Sequence, residues 1–438
     1  MSHYKPYPAY KDSGIEWIGK VPEHWVVKRI EHIAGTHRKS ISANELNSID
    51  VLHYSIPSVQ EFGDGTIESG TTIDSNKLIV ECEQVLISKL NPRKGTVVIA
   101  DKDQRRTTVA STEFVPLIAL PQKSTAKFIA SLVASAPVKQ LLESRVESVT
   151  RSHQRVAPEE ILKAKIAVPS FHEQIQIAGA IDCETSRIDA LIAKKTRFIE
   201  LLQEKRQALI THAVTKGLDP NVKMKDSGVE WIGEVPEHWT ITKLKHVSRA
   251  LIGLTYAPED VVVDGTGITV LRSSNIQGGQ LDLADIVQVR AVADPDLMVR
   301  IGDILICSRN GSRALIGKNI QLDERSVGCT FGAFMTVVRG SFNDFLYYAF
   351  NSTMFDANSA LYMTSTVNQL TISMIANMEV PLPSKEEQRA IVSHLRKGLS
   401  SLDALLFKTQ RSIDLLKERR SAFITAAVTG QIDFREAA

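Results

Sequence analysis

The chain has 438 residues, 43% of them hydrophobic, and a formal net charge of +2 at neutral pH. That length suits two to four domains of an ordinary globular protein, and no apolar run approaches the roughly 18 residues needed to span a bilayer. The near-neutral balance excludes polyanion binding by bulk charge, so any nucleic-acid contact must come from local basic patches or from charge shared with other subunits.

The chain opens on MSHYKPYPAYKDSG, which lacks the apolar core of a signal peptide, so a cytoplasmic protein with no membrane attachment is expected. Cys82, Cys183, Cys307 and Cys329 are scattered without a CxxC pair. They offer neither a zinc site nor a disulfide framework, and a reducing compartment fits them.

Residues 11–25 read KDSGIEWIGKVPEHW. Further on, VLISKLNPRKGTVVIAD (Val85–Asp101) reads as strand, basic turn and strand, because two apolar runs flank a Pro- and Gly-marked polar stretch. A mixed helical segment follows at Lys127–Val146, and KIAVPS (Lys165–Ser170) closes the module. Ser170 and Glu173 then have the spacing of a capping box, in which the hydroxyl takes the third amide and the carboxylate reaches back to the cap. A long helix is expected from there to Gly217. Its apolar residues Ile188, Ile192, Ile199, Leu202 and Leu209 fall in heptads, the pattern of a coiled-coil seam.

The chain then repeats itself. Residues 225–239 read KDSGVEWIGEVPEHW, identical to 11–25 at thirteen of fifteen positions, and the offset from Trp17 to Trp231 is 214. The second module has its own strand, basic turn and strand in GDILICSRNGSRALIGK (Gly302–Lys318), a helical segment at Asp344–Tyr362 and the closing stretch MEVPLPS (Met378–Ser384). A second capping box, Ser384 with Glu387, opens a second long helix running to Gly430. Its seam is Leu399, Leu402, Leu406, Ile413, Leu416 and Phe423. The same offset relates Glu173-Gln174 to Glu387-Gln388, Asp189-Ala190-Leu191 to Asp403-Ala404-Leu405 and Ala213-Val214-Thr215 to Ala427-Val428-Thr429. Each seam carries polar residues at matched places, Lys195 with Thr409 and Arg206 with Arg420. Such residues either fix the register or extend their heads out of the interface.

Internal repeats decide architecture. The repeat predicts an α+β protein with two globular modules joined by two long coiled-coil helices. The boundaries fall at 1–169, 170–217, 218–383 and 384–430, with a tail at 431–438. A helix of about 40 residues is roughly 60 Å long, and a module with a radius of gyration near 15 Å does not bridge that distance. The helices are therefore expected to run antiparallel, as a pseudo-twofold pair, with the start of module one meeting the end of helix two. Trp17, Trp25, Trp231 and Trp239 are all the tryptophans, and their matched places predict that they pack each module's start against the helix pair. His24 and His238, in the repeated VPEHW, read as structural for the same reason.

Catalytic chemistry is not evident. GSRALIGKN (Gly311–Asn319) has five residues between its glycines and Asn where a phosphate loop needs Ser or Thr. No amino-methyltransferase motif and no nuclease cluster is present, so no catalytic residue and no metal ligand is assigned. A chain with this much order and no active site reads as a binder or scaffold.

Two modules with divergent interiors, each closing on V-P or L-P, then Glu-Gln and a heptad helix, resemble the specificity subunit of type I restriction–modification enzymes. KDSGIEWIG with KDSGVEWIG, VPSFHEQ with LPSKEEQ, and the endings RQALITHAVTKG and RSAFITAAVTG carry the likeness over nearly the whole chain. The resemblance implies two target-recognition domains, each reading half of an asymmetric two-part site in double-stranded DNA. It implies helices that set the spacer and dock two methyltransferase subunits, and translocating nuclease (restriction) subunits that join them. S-adenosylmethionine, ATP and magnesium would sit on those partners, with no cofactor and no catalysis in this chain. Two rivals are a two-headed protein-interaction scaffold without DNA specificity and a single-chain restriction enzyme or methyltransferase.

The family motif does not reach the loops, so candidate DNA contacts rest on chemistry and position. Arg pairs bidentately with guanine, Asn or Gln with adenine, and Lys neutralises phosphate. In module one these are Lys89, Asn91, Arg93, Lys94, Arg151, His153 and Gln154. In module two they are Arg272, Asn275, Arg309, Asn310, Arg313 and Asn368. Each is otherwise a solvated surface residue.

Overall fold

The computed structural model describes residues 5–146, 154–290, 294–355, 357 and 369–435. The chain divides into two units, Met1–Lys195 with Arg411–Ala438 and Thr196–Gln410. Both long helices are unbroken, Phe171–Lys216 and Lys385–Val428. The division falls inside each, so a unit holds one module and part of both helices.

In the first unit, one sheet has the strand order Val97–Ala100, Gln84–Ser88, Phe114–Ala119, Ala34–Gly35, all antiparallel. The hairpin expected at 85–101 is thus present, with Val97 opposite Ile87. A second sheet is mixed, because Thr107–Ser111 runs parallel to Asp50–Tyr54. The helical segment is two helices, Ala126–Val133 and Ala136–Glu143. Pro137, which cannot continue a helix interior, sits at the start of the second one. Val26–Arg29 pairs with Lys165–Val168, tying the module's start to the strand that leads into its helix.

The second unit repeats this topology with different residues. Asn319–Gln321, Ile304–Cys307, Met335–Gly340 and Ser248–Ile252 form the antiparallel sheet in the corresponding order. Ile268–Leu271 and Thr330–Phe331 form the parallel pair, and Thr240–Lys243 pairs with Glu379–Leu382. Within Gly302–Lys318 only the first strand forms. A 3-10 turn at Arg313–Leu315 delays the return strand to Asn319. The helix expected at Asp344–Tyr362 is Asn343–Phe350, and half of the remainder lies outside the described residues.

In each unit the two helix portions pack antiparallel. In the first, Ile177 and Ile181 share a core with Phe423, Ala427 and Val428. In the second, Ile210 and Val214 meet Ile391, Leu395 and Leu399. None of the eleven seam residues is exposed; Ile188, Leu202, Leu399, Ile413 and Phe423 are fully buried, and the other six are partly so. The polar seam residues divide by type. Thr409 is buried and returns its hydroxyl to the Leu405 carbonyl at 2.7 Å, and Lys195 stays half-buried. Arg420 reaches Asp189 at 2.9 Å in one unit and Arg206 reaches Asp403 at 3.1 Å in the other. These are one ion pair built twice, at the 214-residue offset.

The repeated tryptophan organises each helix end. Trp25 and Trp239 have no exposed surface. A buried indole N–H needs an acceptor, and it finds the glutamate of the supposed capping box. Trp25 Nε1 donates to Glu173 at 3.0 Å and Trp239 Nε1 to Glu387 at 3.2 Å. His24 and His238 join the same carboxylates at 2.9 and 3.0 Å. Only half of each box therefore forms: Ser170 and Ser384 accept the glutamate amides at 3.3 and 3.2 Å, while the carboxylates turn to the module instead of the cap. In the first unit Tyr7 adds its hydroxyl to Glu173 at 2.6 Å. Burial, then the hydrogen bond and charge of Glu173, push that hydroxyl well above the ordinary tyrosine range.

The same indoles cover the ends of the other helix. Gly217 packs on Trp239 in the second unit and Gly430 on Trp25 in the first. Tyr10 donates to the Gly430 carbonyl at 3.1 Å, and the Asp433 amide to the Lys5 carbonyl at 2.9 Å. The start of module one thus meets the end of helix two.

Burial alone would raise the Glu387 carboxyl, but its bonds from His238 and Trp239 outweigh that and hold it below the ordinary value. A carboxylate with a depressed folded-state pKa stabilises above its unfolded value, and the contribution is lost as pH falls through the folded value. Wild type is therefore expected to lose thermal stability below about pH 4.5 faster than Glu387→Gln does. Parallel acid limbs in the two melting profiles would show that the carboxylate contributes nothing.

Candidate nucleic-acid interface

In module one the basic turn leaves the sheet after Ser88 and is held in shape by its backbone. Asn91 adopts a left-handed conformation at φ 49°, followed by a 3-10 turn at Pro92–Lys94. Lys89 and Asn91 are half-buried, and Arg93 and Lys94 are exposed, with Lys94 Nζ 3.2 Å from Gln60 Oε1. Gln154, remote in sequence, is brought onto this turn: Asn91 N donates to the Gln154 carbonyl at 2.7 Å, and Val156 N to that of Lys89 at 3.0 Å. Arg151 and His153 lie outside the described residues.

Module two uses the same device. The chain at Gln369–Leu370 pairs with the turn after Cys307, through an Arg309–Gln369 bridge and the Leu370 amide on the Ser308 carbonyl at 2.8 Å. Arg155, the bridging residue in module one, and Gln369 are related by the repeat offset. In both modules the segment before the closing strand thus buttresses the basic turn. Asn368 lies outside the described residues.

Beside this turn is an open cavity of about 530 Å³ lined by Tyr256, Arg272, Ser273, Ser274 and Phe334. The Arg309 guanidinium lies 5.4 Å from the centre of the Phe334 ring, which is 59% exposed. Asn310 Nδ2 is 3.3 Å from Ser273 Oγ. Arg272 contacts the exposed Asp285 at 3.0 Å, and its Nε has no acceptor among the described residues. Arg272, Arg309 and Asn310 are therefore gathered at one groove, with Arg313 exposed on the turn beyond.

Asn275 is a correction. It has no exposed surface; its Oδ1 accepts the Arg272 amide at 2.9 Å, and its Nδ2 donates to the carbonyls of Asp282 and Asp285 at 2.9 and 2.8 Å. A side chain so buried and satisfied holds the loop and reaches no base. Conversely, Tyr256 and Phe334 escaped the sequence reading, since each is a lone aromatic in a short loop beside a strand, past Ile252 and just before Met335, where no periodic pattern marks it. Among the described residues no cluster of His, Cys, Asp or Glu is arranged to hold a metal ion, and no helix is long and apolar enough to cross a membrane.

This geometry belongs to a known architecture. Residues 236–413 match the family model described as "Type I restriction modification DNA specificity domain". The chain is 24% identical over 426 residues to the MjaVIII type I restriction enzyme specificity subunit of Methanocaldococcus jannaschii, covering 94% of both. It is 26% identical over 207 residues to the EcoKI specificity subunit of Escherichia coli, covering 46% of this chain and 44% of that one. Its fold matches a chain from the "complex assembly and conformational transition of the type I R-M system" at a TM-score of 0.71 and 17% identity, over 94% of this chain and 99% of the other.

Proposed function

This chain belongs to the specificity subunits of type I restriction–modification enzymes, and on that premise we propose how its two modules divide the reading of DNA. Each module reads one half of an asymmetric bipartite site through its buttressed basic turn. Module one presents Arg93 and Lys94 with Asn91 and Gln154 beside them. Module two presents Arg309, Asn310, Arg272 and Arg313. Two identical readers would favour a palindrome, whereas these turns differ in sequence and in where their 3-10 turn falls. The long helices set the spacer and dock two methyltransferase subunits, which hold S-adenosylmethionine; ATP- and magnesium-dependent restriction subunits complete the complex. The chain itself is non-catalytic and acts in the cytoplasm.

The observation that carries this reading is the cation–π contact of Arg309 with an exposed Phe334 beside Arg272 and Asn310. A guanidinium placed over an exposed ring at the mouth of a groove is positioned to meet the two acceptors of guanine. Long-read methylation mapping in cells carrying the chain with its neighbouring methyltransferase subunit should yield a two-part motif with a fixed spacer. Arg309→Ala should then relax one half only, at about 1–3 kcal/mol. A uniform loss across all sequences would make Arg309 a phosphate contact. Assembly of the complex without any bipartite motif would favour the protein-interaction scaffold.

A further inference from the structure

The second unit carries a groove of about 680 Å³ between Ser341–Phe345 and the first turns of the second long helix. Lys385, Arg389, Arg396 and Lys397 line it. Lys385, Arg389 and Arg396 fall four and seven residues apart, so they form a nearly straight stripe about 16 Å long on one helix face. The positive end of the helix dipole adds to their field. Among the described residues, Lys385, Arg389 and Lys397 have no carboxylate partner. Arg396 meets Asp344 at 3.5 Å, with both side chains mostly exposed, and such a pair is readily given up.

These cations are not part of the repeated scaffold. The matched positions in the first helix are Phe171, Ile175, Asp182 and Cys183, none of them basic. The flanking scaffold residues, Glu-Gln and Asp-Ala-Leu, are kept in both copies. The groove's charge is therefore a property of the second unit alone, and helix packing does not require it.

We infer that this groove is a second, sequence-independent DNA contact that holds the phosphate backbone of the duplex whose bases module two reads. The inference rests on the DNA-reading function above. A 16 Å stripe matches about five phosphates of one strand at 3.4 Å of helix axis each. An open, elongated groove suits a polymer that passes through it. One strand, Met335–Gly340, separates the two sites: Phe334 lies just before its start and Ser341 just past its end. At roughly 3.4 Å per residue that is about 24 Å, or near seven base pairs.

The test uses the full chain assembled with its methyltransferase subunits, on a duplex carrying the mapped motif and a scrambled duplex of equal length. The variant Lys385→Gln/Arg389→Gln/Lys397→Gln removes only cations without carboxylate partners among the described residues. The plot of log affinity against log salt should become shallower by about 2 to 3, equally on both duplexes, leaving the preference for the motif unchanged. The charge-keeping variant Lys385→Arg/Arg389→Lys/Lys397→Arg should restore the wild-type slope. A triple glutamine variant with the wild-type slope and an intact preference overturns the groove while leaving the reading function standing. The same slope with weakened subunit assembly also overturns it and assigns the groove to an acidic protein surface. A wild-type complex without any preference would fail the reading function instead.

Discussion

Glu173→Ala is expected to destabilise the first unit by roughly 3–5 kcal/mol, an unusually large cost for a single carboxylate. Glu173 is the acceptor for the Trp25 indole, the Tyr7 hydroxyl and the His24 ring. Trp25 and Tyr7 are themselves almost wholly buried, so removing the carboxylate orphans two buried donors at about 1–3 kcal/mol each. It also leaves a void where Trp25 closes both helix ends. Glu387→Ala in the second unit should cost less, about 1–2 kcal/mol. That carboxylate is roughly a third exposed and lacks a tyrosine partner, because Asn221 stands at the position matching Tyr7. Denaturant unfolding followed by tryptophan fluorescence reads both effects, since the only four tryptophans sit at the two clasps. Equal losses in the two variants would mean that burial of the clasp does not set its strength.

The second large effect concerns the place where the chain closes on its own start. Gly430 has φ +74°, and an added Cβ would lie 2.6 Å from Pro22 Cγ and 3.3 Å from Trp25. Gly430→Ala therefore combines a left-handed backbone, costing about 1–2 kcal/mol, with overpacking of about 1–3 kcal/mol. The expected total is about 2–5 kcal/mol, together with faster proteolysis of the segment after residue 430. Gly217, its counterpart, has the same backbone at φ +73°, but its nearest neighbour would be Trp239 at 3.3 Å. Gly217→Ala should cost only about 1–2 kcal/mol. Comparable melting temperatures for the two variants would show that the Pro22 contact yields freely.

The most legible features were those whose signal is local or repeated. Heptad spacing marked both helices and every seam residue, since side chains three and four apart share a helix face whatever lies around them. The 214-residue offset marked the matched tryptophans, the matched arginines and aspartates and the closure of module one by helix two. Strand, basic turn and strand were visible at 85–101 because alternation and turn residues act over a few positions.

What the sequence by itself determined, then, is the plan: two modules, each followed by a long helix, and the antiparallel sense of the helices. Tertiary structure alone decided which polar groups serve that plan and which remain free to meet DNA. The spacing of Ser170 and Glu173 is that of a capping box, yet a buried indole from 148 residues away claims the carboxylate. Asn275 has the chemistry of a base reader, yet two carbonyls seven and ten residues on take its amide into the core. Gln154 reaches Asn91, and Phe334 lies under Arg309, only once the sheets are assembled. The physical reason is the same in each case. A helix satisfies its own backbone within one turn, whereas a loop must find its hydrogen-bond partners elsewhere in the chain, and no short window of sequence contains them.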